Sequence, residues 1–252
     1  MSRMLSKSIK VALFCVAAAC LLTLGYSRTN AQAQAPTNKT HPPVLQRGAS
    51  TRNNAPSLPA GIIYTQPISS SGALLQSSWW DPNGSDYDQY VWDNFTLSST
   101  HVITEIHWSG GYDPAKFGSG GPVIDFSVKI YPSIPAGSQP DVVNPPLVDY
   151  QTGGNAGQTL AGTFGGTTMY DYQFALPASF YAEAGTRYWV QIEAWQHGIP
   201  DWGISVGTGG DGVYFRRIAN VGDIYYQLVP GDAAFTLLPP PTYRIYLPFI
   251  QK

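Results

Sequence analysis

From Gly61 onward, apolar and polar positions alternate in short stretches broken by Gly, Pro, Asn and Asp. His101 to Trp108 (HVITEIHW) sets Val102, Thr104, Ile106 and Trp108 against Ile103, Glu105 and His107. Val123 to Tyr131 sets Ile124, Phe126, Val128 and Ile130 against Asp125, Ser127 and Lys129. Period two marks a half-buried strand. Similar stretches recur at Tyr90–Leu97, Met169–Leu176, Arg187–Trp195, Gly203–Val206, Gly212–Ile218, Ile224–Leu228 and Ala233–Leu238, and no window of a dozen residues carries a helical stripe. Strands at this spacing predict an all-β chain, a single antiparallel β-sandwich with jelly-roll-like topology. Ala184-Gly185-Thr186 is expected to turn through a glycine at positive φ. The expected core is Phe95, Ile106, Trp108, Phe126, Val128, Ile130, Phe174, Ile192 and Phe235.

The flanks read differently. Residues 1–33 have the form of an export signal: Arg3, Lys7 and Lys10, then the uncharged run Val11 to Leu24, then Ala31-Gln32-Ala33 as a cleavage site. The run is shorter than the roughly 20 residues that cross a bilayer, so cleavage is favoured over a membrane anchor. No transmembrane segment is expected after signal removal. Cys20, after three alanines, keeps lipidation open as an alternative. Both cysteines, Cys15 and Cys20, fall inside the signal, so the exported chain is expected to rely on its core rather than on disulfides. Residues 34–60, rich in Pro, Gln, Asn, Thr and Ser, read as a disordered linker. The sandwich is expected over 61–238. A proline spacer and short apolar tail follow over 239–252, too short to span a membrane. The expected location is secreted or cell-surface.

Charge narrows the partners. All 16 acids fall between Asp81 and Asp232, and five bases (Lys116, Lys129, Arg187, Arg216, Arg217) lie between Gly61 and Leu238, a net charge near −11. Such a body repels nucleic acid and anionic lipid; a neutral ligand or a cation suits it better. Asp81, Asn83, Asp86 and Asp88, with Gly84 among them, offer hard oxygens at short spacing, which is what Ca²⁺ takes. The alternative is a turn whose Asp and Asn side chains cap their own backbone. Trp79, Trp80, Tyr87 and Trp202 lie beside turn residues and are the candidates for exposed aromatic platforms that stack on a ligand. Catalytic signals are sparse. Glu105 and Glu193 fall on strands, on faces read as solvent, and would have to converge to act as a glycosidase pair. His107 shares a face with Glu105, but no HExxH is present and no Ser is set in a GxSxG elbow.

The stretches "VWDNFTL", "VITEIHWSGGY", "DFSVKIYPS", "ALPASFYAEAGTRYWVQIEA" and "GDAAFTL", from about Tyr90 to Leu237, resemble a β-sandwich module of exported bacterial proteins. Its members read roughly as "DDFTL…W.GGY…AGT.YWL…D.AF.L". The resemblance implies fold and location, but no activity; Asn94 stands where the module has its second Asp. The end, Tyr243 to Lys252 with its "YLP", is similar to tails of secreted proteins of Chloroflexota-type bacteria, which implies surface retention. The leading expectation is a non-catalytic module binding an extracellular glycan or matrix, stabilised by Ca²⁺ if the acidic loop holds one. The alternatives are a structural surface or adhesion protein, whose partner is another surface protein, and a jelly-roll hydrolase or lyase.

Overall fold

The computed structural model describes residues 61–220 and 223–241, without the side chains of 219–225. The expected export signal with Cys20, the linker and the segment 242–252 lie outside the described residues. The described residues form fifteen strands and no helix: β1 (Tyr64–Gln66), β2 (Leu74–Gln76), β3 (Ser78–Trp80), β4 (Tyr90–Thr96), β5 (His101–Tyr112), β6 (Asp125–Pro132), β7 (Val148–Gln151), β8 (Thr159–Phe164), β9 (Thr167–Ala182), β10 (Arg187–Gln196), β11 (Trp202–Gly207), β12 (Val213–Asn220), β13 (Asp223–Pro230), β14 (Asp232–Ala233) and β15 (Phe235–Leu238).

They make two sheets packed face to face. In the first, β5 is central, bordered by β15 and β11 on one edge and by β9 on the other, with β1 beside β15 and β8 beside β9. The second runs β13-β12-β4-β10-β6-β7, and β3 joins β10 as a parallel strand. The chain crosses between sheets at β2–β3, β4–β5, β5–β6, β7–β8, β9–β10, β10–β11, β11–β12 and β13–β14, the connection style expected of a jelly-roll-like sandwich. All nine expected core residues are buried between the sheets. The glycine turn is present: Gly185 has φ 72° and donates to the Leu97 carbonyl at 2.8 Å, bringing Tyr188, Val190 and Ile192 inward.

One part of the pattern needs correction. Asp125, Ser127 and Lys129 oppose the core face of β6, and Glu193 opposes that of β10, yet all four are buried, Lys129 and Glu193 to 1% exposure. Trp92, Tyr131, Trp189 and Phe215 lie on the same outer face and form a second buried cluster. Alternation reports that two faces differ in polarity; it does not report that the polar face meets water.

Candidate functional site

Trp202 was the wrong residue to expect at the surface. It is 0% exposed, edge-on to Phe126 and Tyr172 at 5.1 and 5.8 Å, and its indole N–H donates to the Tyr172 hydroxyl at 3.0 Å. Gly110 leaves it room, since a Cβ there would lie 2.3 Å from the ring. The preceding turn is pulled inward because the Gln196 side-chain oxygen accepts from the amides of both Asp201 and Trp202. Trp79 is also buried, at 4%, on strand β3 beside Trp195, with its ring stacked on Tyr90 at 6.4 Å. Neither indole is a platform. Trp80 is half-buried, and Tyr87 alone of the four stands well out, at 57%.

The acidic loop is closed by one of its own carboxylates. Asp88 is buried and accepts from the Trp80 amide at 2.9 Å and from the amide and hydroxyl of Ser85. Burial pushes its carboxyl up to about 6, against the pull of those donors. Asp81 turns toward His197 (3.5 Å), while Asn83 and Asp86 are exposed. Among the described residues no group of three or more His, Cys, Asp or Glu is placed to hold a metal ion. The capping turn is therefore the geometry seen here.

The carboxylate pair of the hydrolase expectation does not form either. Glu105 faces outward from the first sheet, half-buried, with its carboxylate 2.8 Å from His107 Nε2. Glu193 lies on the outer face of the second sheet, so the core separates them. What the fold does bring together is a polar field on the outside of the first sheet. Cross-strand register puts Thr65, Thr236, His107 and Gln173 in one row over β1, β15, β5 and β9. Ser109, Asp171 and Thr159 form the next row over β5, β9 and β8. Ser109 donates to Asp171 at 2.6 Å, and the Thr65 and Thr236 hydroxyls meet at 2.8 Å. A groove of about 380 Å³ lies over the β5, β9 and β8 part of these rows, lined by His107, Ser109, Thr159, Asp171 and Gln173, with the Gly157 turn as one wall. Apart from the His107–Glu105 face, these residues carried no signal in the sequence, because their grouping depends on which strands pair.

This arrangement defines a class: a two-sheet β-sandwich with a shallow polar groove on one outer face. Residues 62–208 match the family described as domain of unknown function (DUF7901), and the chain belongs to that family. The match stops before β12–β15, although these strands complete both sheets. Searches of curated proteins and of solved structures found no match.

Proposed function

We propose that the domain is a non-catalytic binding module acting outside the cell, and that the groove over β5 and β9 takes a neutral, polyhydroxylated ligand, the chemistry of a glycan chain. The observation that carries this reading is the pair of polar rows. Rows of four and three strands at roughly 4.8 Å spacing put hydroxyl, imidazole, amide and carboxylate groups along some 10–14 Å of rigid sheet. Groups that both donate and accept suit sugar hydroxyls, and side chains fixed on strands lose little entropy on binding. The strongly acidic body argues against polyanionic ligands. The export signal read in residues 1–33 and the resemblance to exported modules support the location.

A glycan array probed with the secreted chain, followed by calorimetry on any hit, tests this. Binding that is lost in Asp171→Ala and His107→Ala is the expected result. An array without hits sinks the reading and leaves the structural surface role in its place.

A further inference from the structure

The outer face of the second sheet is built like an interior. Trp92, Tyr131, Trp189 and Phe215 stand on it with ring centroids 5.8–6.4 Å apart, all buried. Further along the same face Ser127, Lys129, Gln191 and Glu193 are buried too. Yet the described hydrophobic residues packed against the aromatic cluster are Tyr90 and Tyr226, which belong to the same sheet, and Val142 from the β6–β7 connection. An antiparallel sheet face open to water is polar, and an aromatic layer of this extent marks a surface that is covered.

We propose that the segment 242–252 of this chain, TYRIYLPFIQK, is that cover, docking in extended form across β4, β10 and β12. Three observations point to it. Its composition fits: six of its residues are aromatic or aliphatic, and period two puts Tyr243, Ile245, Leu247 and Phe249 on one side. Residues 34–60, rich in Pro, Gln, Asn, Thr and Ser, offer no such face. Its reach fits, because eleven extended residues span up to about 36 Å, comparable to the ten residues of β10, and they follow directly on Pro241, just past β15. Its charge fits as well. Arg244 and Lys252 are its only charged side chains, whereas the face carries Asp125, Asp149 and Glu193 against Lys129 and Arg217.

The test compares the intact chain with one ending at Pro241, by amide exchange and thermal melting. On truncation, exchange in β4, β10 and β12 should accelerate tenfold or more, with a fall in Tm of about 5 °C or more. A synthetic peptide of residues 242–252 should restore both, saturably. In the full-length chain, Leu247→Asp with Phe249→Asp should give the same local loss of protection; this variant decides the matter if the shortened chain does not fold. Unchanged protection in that variant overturns the proposal. So does loss of protection on deleting 34–60 instead, or protection in the intact chain that disappears on dilution, which would make the cover a second copy.

Discussion

Asp93 sits between the sheets, where burial pushes its carboxyl up to about 8 despite the amides of Ala233 and Asn94 that donate to it. Asp88 is raised to about 6 for the same reason. Unfolded, both ionise near 3.8, so from there up to each raised value the native state holds more protons than the unfolded one. Stability therefore falls as pH rises through these windows. Tm is expected to decline from about pH 4 to pH 8, the upper stretch from 6 to 8 belonging to Asp93. Asp93→Asn should flatten that upper stretch, whatever it does to Tm itself; melts at four pH values read the slope, and a Tm rising between pH 6 and 8 would contradict this. Trp202 makes a second test at this scale. Trp202→Ala empties a fully buried site and should cost about 3–5 kcal/mol in a denaturant titration, whereas an exposed platform would lose ligand affinity and almost no stability.

At the scale of the element, the Asp81–Asp88 loop is held by hydrogen bonds that a single side chain accepts. Asp88→Ala leaves the Trp80 and Ser85 amides without that acceptor and should cost about 2 kcal/mol. A loop closed this way has no need of an ion, so EDTA and added calcium should both leave Tm of the parent unmoved; a calcium-dependent rise would restore the ion-binding reading. The long strands were legible beforehand because β4, β5, β6, β9 and β10 bury one face in a single core and so alternate. Several of the others were not. β1, β2 and β3 have three residues each within Gly-, Ser- and Pro-containing stretches, and β8 is exposed or half-buried along its length, leaving no pattern to read. Nor was the groove legible, since Ser109 and Asp171 lie 62 positions apart and meet only through the pairing of β5 with β9. The burial of Lys129 and Glu193 leaves no mark in the pattern, because a polar face turned to a cover has the same alternation as one turned to solvent.

The whole sandwich carries two distinct outer faces on opposite sides of one core. The polar rows lie outside the first sheet and the aromatic layer outside the second, with about 10 Å of packed side chains between sheets. Contacts made on one face have no side chain in common with the other, and sites that far apart without shared partners behave additively. Changes to the two faces should therefore separate. Asp171→Ala removes an exposed side chain whose partner Ser109 can turn to water, so stability should change by no more than about 0.5 kcal/mol while glycan affinity falls at least tenfold. Removing 242–252, or placing aspartates at 247 and 249, should lower Tm and leave the groove's Kd unchanged when calorimetry is run well below the melting range. If the tail variants also weakened the glycan at that temperature, the faces would be coupled through the core. The groove would then be shaped by the cover rather than by the register of β5 and β9, and the assignment of binding to the first sheet alone would fail.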